Sequence, residues 1–354
     1  MLFTDLRPMK LLFIAGILLA AAACSSPPRQ PLEPAFFCWE TTLHVSPEER
    51  SLTDSLDCKK LYVKILDIGR NAASGEIEPY SRTDRSDSSG LKGLRIIPTV
   101  FITNEVFQNI SEEKIAWLAG KIGAVASDHG AYEELLLDCD WTPSTRDAFF
   151  LFLKKMRENQ PSGARISATI RLHQYKFPQK TGVPPVDRGM LMFYNTGDVD
   201  EESERNSVFH PDDALKYLDG APKNYPIPLD LALPLFSWCL VFREGELWKI
   251  VPGPLPLEDM RSNGKWTETP NADPFTAQLW ELKDGTFLGG HYLRPGDHLW
   301  VSAISPALLF KAASLAQKLD LADDATLAFF HLNIARSSHF SAQLLDSVCK
   351  TVRK

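Results

Sequence analysis

The segment ELLLDCDWTPSTRDAFFLFLKKMRE, Glu134 to Glu158, followed by ISATIRLHQ, Ile166 to Gln174, decides how the chain folds. A short apolar run ends in Asp138-Cys139-Asp140-Trp141 and a Thr-Pro-Ser turn. Phe149, Phe152, Leu153 and Met156 then recur at helical spacing, which predicts strand, loop and helix. The next segment alternates with period two. Ile166, Ala168, Ile170 and Leu172 fall on one side, and Ser167, Thr169, Arg171 and His173 on the other. An apolar side packed under helices and a polar side turned inward is what a closed barrel of parallel strands requires.

Outward from this unit the same alternation continues. Strands are expected at 35–42, 61–68, 96–102, 134–141, 166–174, 190–195, 229–238 and 325–334, with helical stretches at SPEERSLTDSL, SEEKIAWLAGKIGAVA, PSTRDAFFLFLKKMRE and SPALLFKAASLAQKL. The stretch SRTDRSDSSG, 81–90, reads as a mobile polar loop. Between about 239 and 295 the pattern becomes irregular, with a hairpin turning at Glu244-Gly245 and then a Pro-, Gly- and Trp-rich segment. Eight strands alternating with helices predict the α/β class: one (β/α)8 TIM barrel over 35–354 with an irregular insertion after strand 7. There is no internal repeat, and no Gly-rich phosphate motif follows any strand, which argues against a nucleotide-binding fold.

The N-terminus has its own signature. LLFIAGILLAAAA, 11–23, is too short for a stable membrane-spanning helix and ends in small residues before Cys24. The segment AAAACSS resembles a bacterial lipobox, which implies a lipoprotein signal peptide at 1–23, lipidation of Cys24 and a proline-rich tether at 24–34, with an ordinary cleaved signal as the alternative. Ser25 and Ser26 after the cysteine predict an outer-membrane address, so the membrane is an expected partner through the lipidated N-terminus. The net charge is −7, and the leader's Asp5, Arg7 and Lys10 leave about −8 beyond it. With no dense basic run, nothing suggests nucleic-acid binding. The cysteines are scattered, with no zinc-type spacing. Disulfides stay unassigned, and no cofactor or metal is expected.

In a barrel of this kind, chemistry sits at the C-terminal ends of the strands. Those ends carry Trp39 and Glu40, Asp138 and Asp140, Arg171 with His173 and Gln174, and Tyr194 with Asn195. Asp138 and Asp140 share a side of their strand, and two close carboxylates raise one of their pKa values. The ordinary alternative makes them interior carboxylates paired with Arg171. His173 reads as a hydrogen-bonded interior histidine or as a base. Trp39, Trp141 and Trp238 offer stacking faces, although Trp141 and Cys139 alternate away from the aspartates toward the core.

LLLDCDWT resembles the D-x-x-D-x-D-x-E motif of glycoside hydrolase family 18, the chitinase-like barrels. MFYN resembles that family's M-x-Y-[DN] and LDLALPLFSW its seventh-strand motif, in the right order on the right strands over roughly 134–238. The segment ISATIRLHQYK and the MLMFYN strand also resemble a group of uncharacterised bacterial lipoproteins. The family resemblance implies a substrate-assisted glycosidase, one of the exceptions to the two-carboxylate scheme. Asp140 would orient the substrate's amide, Asp138 would support it and Tyr194 would hold it; the general acid would fall on Thr142. A threonine hydroxyl is far too weak an acid for that role. Leu135 stands for the motif's first aspartate, strand three lacks S-x-G-G, and strand eight lacks the usual tryptophan. Thr142 before Pro143 instead reads as a helix cap. Three expectations follow: a barrel that binds a glycan or oligosaccharide without the standard chitinase reaction; a hydrolase with a replacement acid, Glu40; and, more weakly, a divalent-metal site at the DxD pair with His173.

Overall fold

The computed structural model describes residues 30–84, 89–271, 273–333 and 340–353. The signal peptide, Cys24 and the first part of the tether lie outside the described residues, as do 85–88 of the polar loop.

The chain runs β1 (Glu33–Cys38), α1 (Pro47–Ser55), β2 (Lys60–Arg70), β3 (Ile77–Arg82), β4 (Arg95–Ile102), α2 (Glu112–Asp128), β5 (Glu134–Asp138) and α3 (Arg146–Glu158). It continues with β6 (Arg165–Arg171), α4 (Leu172–Lys176), α5 (Pro178–Thr181), β7 (Arg188–Met192), α6 (Pro211–Leu218) and β8 (Leu229–Pro234). The insertion carries β9 (Ser237–Arg243), β10 (Glu246–Pro252), α7 (Leu257–Ser262), β11 (Trp266–Glu268), β12 (Gln278–Leu282), β13 (Thr286–Leu288), β14 (His291–Leu293) and β15 (His298–Ala303). α8 (Pro306–Ala316), β16 (Thr326–Phe330) and α9 (Ala342–Val352) complete the order.

β1, β2, β4, β5, β6, β7, β8 and β16 pair in that order, every pair parallel, and β16 returns to β1, so eight strands close into a barrel. The (β/α)8 expectation is met. Helices start where the sequence supplies caps: Ser46 and Glu49 form a reciprocal box at α1, and Ser111, Ser305 and Ser341 each accept a backbone N–H at α2, α8 and α9.

Three local expectations need correction. Part of the polar loop is strand, since β3 pairs antiparallel with β2. Its Tyr80 ring lies over Gly69, where a Cβ would push the exposed ring aside. The fifth predicted strand ends at Arg171, and 172–176 is the helix α4. The Gln174 Oε1 accepts the Arg171 N–H at 2.7 Å, closing a turn that a period-two reading cannot detect. The insertion is regular where irregularity was expected: β10, β9, β15, β12 and β11 form an antiparallel sheet with a core of its own, including Cys239, Val241, Trp280, Leu282 and Leu299. Its hairpin turns at Glu244 and Gly245, both at positive φ (56° and 82°), as expected.

The lumen is layered. At the N-terminal mouth buried ions are all paired. Arg188 grips Asp230 through two bonds of 2.9 and 2.7 Å, Asp230 accepts the Thr326 N–H at 2.7 Å, and Lys60 reaches Glu33 at 2.7 Å and the Thr326 hydroxyl at 2.8 Å. Above this an apolar plug sets Ala35, Ala232 and Ala328 beside Phe37, Tyr62 and Met190, small residues making room for large ones. The barrel is therefore closed below, and any ligand enters from the C-terminal face.

Candidate functional site

A cleft of about 400 Å³ opens at that face, within the size range of small-ligand sites. Phe330, at the end of β16, is the hub of its floor. Its ring lies 5.3 Å from Trp39, 5.4 Å from Phe37 and 5.7 Å from both Tyr194 and Phe236. Phe101 extends the floor beyond Trp39, and Trp238 extends it beyond Phe236. The insertion supplies one wall through Trp238, Ile250 and Pro252. Trp238 is pinned there by its indole N–H, which donates to the Ser207 hydroxyl at 2.8 Å.

β5 and β6 set polar side chains against one another in the lumen. Ser167, Thr169 and Arg171 turn inward as the alternation predicts, each facing a carboxylate. The Ser167 hydroxyl donates to Glu134 at 2.7 Å, the Thr169 hydroxyl to Asp138 at 2.6 Å, and Arg171 grips Asp140 through Nε and Nη2. Asp138 is 3 % exposed and its pKa is pushed up to about 6. Burial is the main cause, opposed by the Arg171 cation and reinforced by the charge on Asp140. Burial and the anions around it also raise the Tyr194 phenol, which stays neutral. The Tyr194 hydroxyl contacts the thioether of Met192 at 3.4 Å, a weak acceptor that leaves it disposed toward a ligand.

The structure brings Trp39, Glu40, Asp138, Arg171, Tyr194, Asn195 and Trp238 together around the cleft. Asn195 holds a left-handed backbone (φ 54°), as strained residues at ligand sites often do. Glu40 accepts from the Asn333 amide at 3.1 Å and lies 4.0 Å from the His331 ring. Asp140 stands past the end of β5, half-exposed and held by Arg171, at the rim. His173 and Gln174 are not in the cleft. His173 is exposed on α4, whereas Gln174 is buried and donates to the Trp141 carbonyl at 2.9 Å. Trp141 is core, stacked on Phe149 and donating to the Thr181 carbonyl at 2.9 Å. Cys139 is a buried free thiol, as are Cys38, Cys58, Cys239 and Cys349.

Thr142 carries no acid and does not cap the helix through its side chain. Its hydroxyl bonds the Ser144 hydroxyl at 2.9 Å, and regular helix begins at Arg146 after Thr145. The Thr142 backbone makes the turn instead, its carbonyl accepting from Thr145 and Arg146 at 3.1 and 2.9 Å. Both Asp140 oxygens are engaged by the Arg171 guanidinium. Among the described residues no cluster of three or more metal-ligating side chains forms.

The sequence reading missed Phe101, Phe236, Phe330 and His331, and also the buried Lys64, paired with Asp67 at 2.6 Å with its ammonium 5.6 Å from the Trp39 ring. The signal was available for some of them. Period two from Thr326 through Ala328 places Phe330 inward, and from Ile97 through Thr99 it places Phe101 there.

No protein-family model matches the sequence, and no curated protein matches it. Solved structures do match. The C-terminal domain of a putative chitinase from Desulfitobacterium hafniense DCB-2 aligns over 91 % of this chain and 100 % of its own, with a TM-score of 0.53 and 12 % identity. The chitinase ChiA74 from Bacillus thuringiensis aligns over 91 % and 70 %, with a TM-score of 0.52 and 10 % identity. The Bacillus cereus spore cortex-lytic enzyme SleL aligns over 93 % and 76 %, with a TM-score of 0.49 and 14 % identity. The barrel shares its fold with these two chitinases.

Proposed function

We propose that this chain is a lipoprotein of the cell envelope, anchored to the outer membrane through Cys24, whose barrel binds a glycan in the Phe330-floored cleft without the standard chitinase reaction. One observation carries the binding reading. An aromatic bowl, a neutral tyrosine hydroxyl and a buried carboxyl of raised pKa converge on one cleft, while the acid position holds a threonine tied to its neighbour Ser144. Pyranose rings present flat C–H faces to aromatic rings and hydroxyls to polar groups, which is the mixture found here. Asp140, the position that would orient a substrate amide, is instead neutralised by Arg171.

The test is a glycan array followed by a turnover assay on every hit. Binding that persists in Asp140→Asn, with no product at any pH, is the expected result; product release by the wild-type chain would overturn it. Product lost on Glu40→Gln would establish the second reading, a hydrolase with a replacement acid, which Glu40 supports by lining the same cleft as Asp138. The anchor has a separate test. Cys24→Ser is expected to release the protein from the membrane fraction and to abolish labelling by a fatty acid; unchanged fractionation would remove the anchoring proposal.

A further inference from the structure

The rings that floor the cleft do not form a flat platform. Phe236 meets Tyr194 at 81°, Trp238 at 69° and Phe330 at 76°, with ring centres 5.5 to 5.7 Å apart. Rings set nearly perpendicular in succession enclose a corner, each turning its face across a neighbour's edge. Such a corner suits a compact cation, which is attracted to every ring face it meets. The protein has not filled it. Phe236, Trp238 and Phe330 are part-exposed, and among the described residues the cation placed over a cleft-lining ring is Lys64, 5.6 Å from Trp39.

The charges point the same way. Five carboxylates are buried among the described residues: Glu134, Asp138, Asp213, Asp230 and Asp297. Four of them have an arginine within 3.5 Å, and Asp138, the one that lines the cleft, has no ion pair. Its Oδ1 accepts from the neutral Thr169 hydroxyl. The nearby Arg171 is bound through Nε and Nη2 to Asp140. Glu40, the other carboxylate lining the cleft, is half-exposed beside Asn333 and His331 and adds to the negative field.

We propose that the cleft receives an ammonium group, so that its ligand is a glycan whose hexosamine carries a free amine, with Asp138 as counter-ion and the Phe236 corner as the cage. The inference rests on the glycan-binding reading above and adds the charge class of the ligand. A bound ammonium gives Asp138 the ion pair that the other four buried carboxylates find within the protein. Burial holds Asp138 at about 6 while that cation is missing. The charged and titratable groups facing it are Asp140 beyond its own strand, Arg171 from β6, Asp67 with its partner Lys64 from β2, and Tyr194 just past β7.

Calorimetry on the full chain compares the β-1,4-linked glucosamine tetramer with its N-acetylated counterpart, and with choline as an ammonium without a sugar. Salt of about 0.15 M screens the general attraction of a chain of net charge −7 for a polycation. At pH 6.5 the glucosamine tetramer is expected to bind the wild type about tenfold more tightly than the acetylated one, the size of a charge-assisted bond. Asp138→Asn, nearly isosteric, and Phe236→Leu, apolar without a ring, should each remove most of this preference and leave the acetylated tetramer within about twofold. At pH 5.5, where Asp138 is mostly protonated, binding of the glucosamine tetramer should release a proton from the wild type and none from Asp138→Asn, read from buffers of different ionisation enthalpy. Equal or tighter binding of the acetylated tetramer, or an amine preference that survives both variants, overturns the inference and leaves the glycan reading standing. Choline bound while neither tetramer binds removes the glycan reading and the aminosugar assignment with it.

Discussion

Asp138→Asn isolates the electrostatic feature on which the cleft is built. In the folded chain the Asp138 carboxyl titrates near 6 instead of at the ordinary 3.8, because burial opposes its ionised form more strongly than Arg171 favours it. The sign follows from proton counting. Between pH 4 and 6 the folded state binds more protons at this group than the unfolded chain does, so stability falls as pH rises through that window. A shift of about two pKa units corresponds to roughly 3 kcal/mol, fully lost once the pH exceeds the folded value. The asparagine is nearly isosteric, its Oδ1 can still accept from the Thr169 hydroxyl, and it does not titrate. Relative to the variant, the wild type should therefore lose about 3 kcal/mol between pH 4 and 7, a relative drop of roughly 5 °C in Tm. Urea unfolding of both proteins at several pH values measures this directly. Parallel stability profiles would show that burial does not control this carboxyl. A wild type that gains on the variant as pH rises would show that Arg171 prevails and that the pKa is lowered.

Three further outcomes test the surrounding design. Tyr194→Phe removes a hydroxyl whose partner is a thioether, so unfolding should change by less than about 1 kcal/mol while ligand affinity drops about fivefold in calorimetry. Asp230→Ala strips one of two carboxylate partners from the buried Arg188 at the closed end of the barrel, leaving Asp324 at 2.9 Å. It should cost about 3 kcal/mol in denaturant unfolding, the low end for breaking a buried pair, with ligand affinity unchanged under conditions where the variant is folded. Glu40→Gln keeps an acceptor for the Asn333 amide, so ligand affinity should hold within about twofold; a large loss of binding would make Glu40 a principal ligand contact.

The fold was legible because closure of a barrel imposes a repeated, local rule. Each strand must be apolar toward the helices, and Ile166 to Arg171 states that rule in six residues with the inward set Ser167, Thr169 and Arg171. It was not legible where a side chain ends an element. One bond from the Arg171 N–H to Gln174 turns the predicted strand into helix and removes His173 and Gln174 from the site, and period-two reading carries no information about such a bond. The cleft was legible in its charges and opaque in its floor. A phenylalanine at a strand end, such as Phe101 or Phe330, looks like core until the direction of the lumen is known, whereas Asp138 in an apolar run stands out. The insertion was opaque for another reason. Its strands, from three to seven residues long, are too short to establish a period, and the order β10, β9, β15, β12, β11 joins β9 to β15, about sixty residues on.

In the reading we propose, two separate features oppose standard hydrolysis. The substrate-assisted route needs a proton donor and an aspartate free to orient the amide; on that reading the first position is Thr142, whose hydroxyl is bonded to Ser144, and the second is Asp140, held at both oxygens by Arg171. Placing a glutamate at position 142 would then change the first feature and leave the second. At the barrel's other mouth Arg188 is held by Asp230 and Asp324, and the buried Glu134 carboxyl, also raised by burial, accepts from the Ser167 hydroxyl. At the cleft the chain holds a buried carboxyl pushed up to about 6 and a tyrosine hydroxyl that, among the described residues, contacts a thioether. Both features weaken the empty protein, and both place polar capacity where a sugar's hydroxyls would meet it.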